Sequence, residues 1–135
     1  PKEYRNYNLG SPMPTYTPTI NQVIRAEKIM HENYQNFKVK LFDSIYKNPK
    51  FDLKDNYPET FIKHFRNHNR QYSGYINENK DSIIFIGLLN FKNKNRIKTT
   101  FDNWKEEIFL CNGTFCKKNY RKCKVNLTTG KVVGI

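Results

Sequence analysis

Cysteine is scarce: three in 135 residues, spaced C-x4-C-x6-C at 111, 116 and 123, without the closely spaced pairs of a structural zinc site. No apolar run approaches the roughly 20 residues that cross a bilayer, which predicts a soluble domain. Acidic residues number 12 against 24 basic ones, a formal charge of +12. Internal repeats and low-complexity tracts are missing, which excludes solenoids and arrays. Signatures of catalysis are missing as well. Glu106 and Glu107 are adjacent and so point to opposite faces of a strand, and no serine stands in a nucleophile context. A curved sheet under a helix can enclose a pocket, but that is fold analogy alone, so the expectation is a non-enzyme without cofactors.

What is present bounds the rest. The length of 135 residues suits one domain that closes a core without metal or disulfides. An apolar share of 37% with 15% aromatic fills that core with Phe, Tyr and Ile and favours sheet. The positive charge attracts polyanions. It also has a bland source, since Lys, Asn, Ile, Tyr and Phe are all frequent, as in AT-rich coding, and the basic residues are spread along the chain.

Residues 1–19 hold four of the six prolines and read as an extended leader, either a linker or a coil packed on the domain by Tyr4, Tyr7 and Tyr16. The chain begins at Pro1 without an initiator Met, as a processed or trimmed chain would. Thr19 and Gln22 have capping-box spacing, and apolar positions then recur at helical spacing: Ile20, Val23, Ile24, Met30, Tyr34, Phe37, Leu41 and Ile45. A helix over 20–42 follows, with Arg25, Lys28, Glu32 and Gln35 on its exposed face. Residues 43–57 read as a loop, and Pro58 opens a short helix through Phe61, Ile62 and Phe65 to about Asn67. From Gln71 to Leu89 two strand-like runs flank a tip of Asn, Glu, Lys and Asp, the grammar of a β-hairpin. Further strands are expected at Glu107–Leu110, then across an Asn112-Gly113 turn as one long or interrupted strand made of Thr114–Cys116 and Lys122–Leu127 with a basic insertion at 117–122, and at Lys131–Ile135 after Thr128-Thr129-Gly130. The segregated order predicts one α+β domain over 20–135, a long helix on a four- to five-stranded antiparallel meander sheet.

The helix around RAEKIMHEN, the strands RQYSGYIN at 70–77 and IIFIGLLNF at 83–91, Trp104, the NG turn with a nearby Cys, and VNLTTGK at 125–131 carry a resemblance. Over about half its length the chain resembles a family of small exported proteins and lipoproteins of the Bacteroidetes with a cystatin-like helix-plus-sheet arrangement. The chain departs from that pattern in its Lys-rich segment 117–122 and in having Cys111 and Cys123 besides Cys116. The resemblance implies export to the periplasm or cell surface and no known chemistry.

Several residues are candidates for function. In an exported protein, Cys116 is expected to pair with Cys111 or Cys123; the alternatives are buried thiols or a thiolate metal site. His64 and His68 stand at i, i+4, a spacing at which two imidazoles share a metal, but they lack an accompanying acid and have Phe61 and Phe65 as neighbours. Lys92, Lys94 and Arg96 form one basic run, and Lys117, Lys118, Tyr120, Arg121 and Lys122 a second, with Tyr120 able to stack a base. Both also read as solvated loop tips, or as lysines that guard sheet edges. The sequons at Asn112 and Asn126 read as turn chemistry. These readings leave three functions: an exported module that binds a protein partner through its sheet face or loop tips, a polyanion or nucleic-acid binder that uses the basic loops, and an inhibitor or immunity-type protein.

Overall fold

A computed structural model describes residues 14–45, 68–90 and 119–134. The elements are β1 (Thr15–Tyr16), α1 (Ile20–Ile45), β2 (Asn69–Ile76), β3 (Ser82–Leu89), β4 (Tyr120–Asn126) and β5 (Lys131–Gly134). The five strands lie in the order β1-β2-β3-β4-β5 with every neighbouring pair antiparallel, and α1 packs across one face. The architecture is therefore α+β, as the segregated order of helix and strands predicts.

Thr19 and Gln22 form the expected capping box. The Gln22 amide donates to Thr19 Oγ1 at 3.3 Å, and the Thr19 amide donates to Gln22 Oε1 at 2.9 Å. Two of the amides that a helix start leaves without partners are thereby satisfied, which fixes the first residue of α1. The inward stripe is Ala26, Ile29, Met30 and Tyr34, with Phe37 half-buried, while Arg25, Lys28, Glu32 and Gln35 are exposed as the helical period requires. Ile20 and Ile24 depart from expectation at 73% and 60% exposed. They satisfy the apolar spacing, but the first turn of α1 lies outside the strip that the sheet covers.

Alternation sorts the strands. Toward α1 point Tyr72 and Gly74 of β2, Ile84, Ile86 and Leu88 of β3, Arg121, Cys123 and Val125 of β4, and Val132 of β5, and the apolar side chains among them close the core. The opposite face is buried too, at Gln71, Ser73 and Tyr75, at Ile83, Phe85 and Leu89, and at Tyr120 and Asn126. Two-sided burial explains why β3 reads SIIFIGLL without polar alternation. Each of its fully buried aliphatic side chains contributes about 2 kcal/mol of transfer free energy.

β3 and β4 are direct neighbours, from Ile83 against Asn126 to Leu89 against Tyr120. The segments expected as strand at 107–110 and 114–116, like the short helix expected over 58–67, fall outside the described residues. The leader contributes to the sheet: Thr15 pairs with Tyr75 and Tyr16 with Gly74, so a sheet expected to begin after residue 70 has an edge strand from before the helix. The Tyr16 ring lies where a β-carbon on Gly74 would be, 2.4 Å from its Cζ, so any side chain at this position would have to displace the ring. At the other edge the register shifts between Lys124 and Val125, leaving Val133 as the unmatched residue of a bulge that disrupts a short, Lys-bearing edge strand.

Candidate binding edge

At one end of the sheet the β2–β3 tip, 77–81, and the β4–β5 turn, 127–130, are joined to each other. Within the tip the Lys80 amide donates to the Asn77 carbonyl at 2.9 Å and the Asn77 amide to the Asp81 carbonyl at 3.0 Å, while Asn77 Oδ1 accepts from the Asp81 amide at 2.9 Å. This is a three-residue hairpin loop whose last residue, Lys80, takes a φ of 62°. Within the turn Asn126 accepts twice, from the Thr129 amide at Oδ1 and from the Gly130 amide at its carbonyl, both at 2.9 Å, and Gly130 supplies the left-handed residue with a φ of 69°.

Three contacts then cross between the loops. Asn126 Nδ2 donates to Asp81 Oδ2 at 2.9 Å, the Ser82 amide donates to Thr128 Oγ1 at 3.1 Å, and the Leu127 amide donates to the Ser82 carbonyl at 2.8 Å. The Ser82 hydroxyl also meets the Tyr16 hydroxyl at 2.8 Å, and Gln22 Nε2 donates to that same tyrosine oxygen at 3.4 Å, so the start of α1 is tied to this end. Glu78, Asn79, Lys80, Thr128 and Thr129 remain exposed on top of the braced frame. Asn126, read in the sequence as turn chemistry, is buried with its amide engaged, as that reading requires.

The other end of the sheet is organised around long and ionisable side chains. Glu27 of α1 accepts from Arg70 Nη1 at 3.0 Å and from the Tyr72 hydroxyl, and burial, then that hydrogen bond, pushes the Tyr72 phenol upward. Tyr34 and Lys38, one helical turn apart, lie beside Arg121 and Cys123 of β4. Burial pushes the Tyr34 phenol up to about 12 and the Cys123 thiol up to about 12. Lys38 is half-buried, and burial, helped by the charge of Arg121, brings it down to about 8. Asn90 and Asn119 close this end, amide to carbonyl at 2.9 Å and side chain to side chain at 3.1 Å.

The described part of the second basic run, Tyr120 to Lys122, is divided by the strand it belongs to. Residues 120–122 are not an insertion but the first residues of β4, so alternation sends Arg121 toward α1 and Lys122 to the opposite, exposed side. Tyr120 is 8% exposed, and its ring is spent on packing rather than offered for stacking. Lys92, Lys94, Arg96, Lys117 and Lys118 lie outside the described residues. Cys123 is a free thiol buried in the core, so the Cys116–Cys123 bridge is not made; Cys111 and Cys116 lie outside the described residues. His68 sits at the bend that leads into β2, not on a helix, which removes the basis for helical pairing with His64, itself outside the described residues. Among the described residues no group of three or more His, Cys, Asp or Glu is placed to hold a metal ion, and no helix is long and apolar enough to cross a membrane.

The braces could not be read ahead because Asn126 and Asp81 are 45 residues apart in sequence. The turn residues at both ends of the contact were visible, whereas their meeting depends on the β3–β4 register. Comparison with protein-family models, with curated proteins and with solved structures gives no match to this chain.

Proposed function

We propose that the protein is a non-enzymatic binding module that engages a protein partner through the braced edge formed by residues 77–81 and 127–130. The observation that carries this reading is the cross-link of the two loops by Asn126 to Asp81 and Ser82 to Thr128. Loops held in one arrangement before binding lose little conformational freedom when they bind, and exposed side chains on a rigid sheet are the usual carriers of recognition. The sheet face is a poorer choice, because both faces of β3 are buried. An inhibitor or immunity-type protein is a special case in which the partner is an enzyme or toxin. The resemblance to exported proteins supports a periplasmic or cell-surface location and extends to the cystatin-like label.

The polyanion reading has less support, because Arg121 and Lys122 of its second basic run are divided between two faces of β4 and its tyrosine is buried. Paired experiments separate the two. A variant with Glu78, Asn79, Thr128 and Thr129 changed to Ala is expected to lose capture of the native-cell partner and keep its retention on heparin and single-stranded DNA columns. A variant with Lys117, Lys118, Arg121 and Lys122 changed to Ser is expected to keep capture. Loss of capture in the second variant alone, with column binding that survives moderate salt in the parent, overturns the proposal in favour of polyanion binding, because exposed phosphate contacts alone fade steeply with salt.

A further inference from the structure

We propose that Lys80 is the anchor of this edge and that it receives a carboxylate of the partner; the inference rests on the edge reading above. Lys80 occupies the left-handed region at φ 62°, which glycine enters at no steric cost and a residue with a β-carbon does not. The last position of such a loop is one that glycine ordinarily takes. Its backbone is pinned, amide to the Asn77 carbonyl at 2.9 Å, with Asp81 next to it held by Asn77 and by Asn126. Its side chain is exposed and, among the described residues, makes no ion pair or hydrogen bond. A strained backbone that presents an unengaged cation at the apex of a rigid loop stabilises nothing within the domain, and strain of that kind collects at sites of use.

The neighbourhood selects the ligand. The tip carries one cation against two carboxylates, Glu78, exposed and without an ion pair among the described residues, and Asp81, whose carboxylate is taken by Asn126. A run of phosphates would be repelled by this balance. A single carboxylate that meets Lys80, with a donor or cation of the partner opposite Glu78, would not.

The test is an NMR titration of the full chain with the acetylated, amidated peptide Gly-Glu-Gly-Lys, which offers one carboxylate and one cation. Amide shifts are expected to gather on residues 77–81, with binding weakened about fivefold by Lys80→Gln and changed less than about twofold by Lys122→Gln, an equally exposed lysine on β4. Equal effects of the two substitutions overturn the role of Lys80. Shifts that stay at the tip in Lys80→Gln remove the anchor but leave the edge in place, whereas shifts absent from the tip remove the carboxylate proposal and leave the edge to be judged by partner capture. Independently, Lys80→Gly is expected to raise Tm by about 2 °C while it abolishes the peptide response; a lowered Tm contradicts the strain on which the inference stands.

Discussion

The two ends of the sheet reach closure by different chemistry. At the tip end, short neutral side chains do most of the bonding: Asn77, Asn126 and Thr128 each hydrogen-bond at their own turn or the neighbouring one and the Ser82 hydroxyl meets Tyr16 of β1, with Asp81 as the one charged member. At the opposite end, Glu27, Arg70, Tyr72, Lys38 and Arg121 reach across from helix and strand, half-buried. Short side chains lose little entropy when fixed, so the tip end is rigid without depending on ionic conditions. Long charged side chains have solvent to return to and pKa values to shift, so the other end responds to pH.

The largest expected effect breaks the tip. Asn126→Ala removes the donor to Asp81 and the acceptor for the Thr129 amide at a buried position, and it should cost about 2 kcal/mol in urea unfolding. A loss below about 0.5 kcal/mol would mean that the loops are not joined in solution. A smaller effect is expected at the other end. Glu27→Ala leaves Arg70 without its carboxylate and Tyr72 without its acceptor, but Arg70 is 32% exposed at its side chain and can turn to water, so about 1 kcal/mol is expected, decreasing with added salt. If Glu27→Ala proved the costlier change, the contrast between the ends would be reversed.

The smallest effect sharpens the contrast through pH. Lys38 has a folded pKa near 8 against 10.5 for the unfolded chain, so between those values the unfolded state binds more protons and stability contributed by this residue rises with pH. Lys38→Met should therefore stabilise at pH 7, by less than about 1 kcal/mol because the side chain is half-exposed, and the gap to the parent should narrow as pH rises from about 8 to 10.5. Cys123 acts with the opposite sign. Its thiol is raised in the folded state, so its stabilisation is complete below about 9 and is lost toward 12, which makes the interval just above 8 the one in which Lys38 is seen alone. A gap that stays constant with pH contradicts the shift.

Much of this was legible in the sequence, and the reasons differ by element. The start of α1 was readable because a capping box is a local signal between Thr19 and Gln22, and the β2–β3 hairpin because two apolar runs flank a polar tip. β1 was not, because two residues carry no period; the pairing of Tyr16 with Gly74 depends on the ring lying over a missing β-carbon. Residues 120 and 121 were left out of the strand because the charge of their run was weighed above the alternation that Cys123, Lys124 and Val125 continue. The apolar run of β3 did announce two-sided burial, although the expectation of an exposed sheet face passed over it. The binding edge itself joins residues distant in sequence, and only the register brings them together.

Hydrogen exchange at single-amide resolution in the free protein tests the account most directly. If the loops are braced before any partner arrives, the amides of Asp81, Ser82, Leu127, Thr129 and Gly130 exchange slowly, within about tenfold of the β3 amides, and Asn126→Ala releases those of the turn first. Exchange of these amides at the rate of an unstructured chain, with β3 still protected, would show two independent loops and contradict a preformed edge.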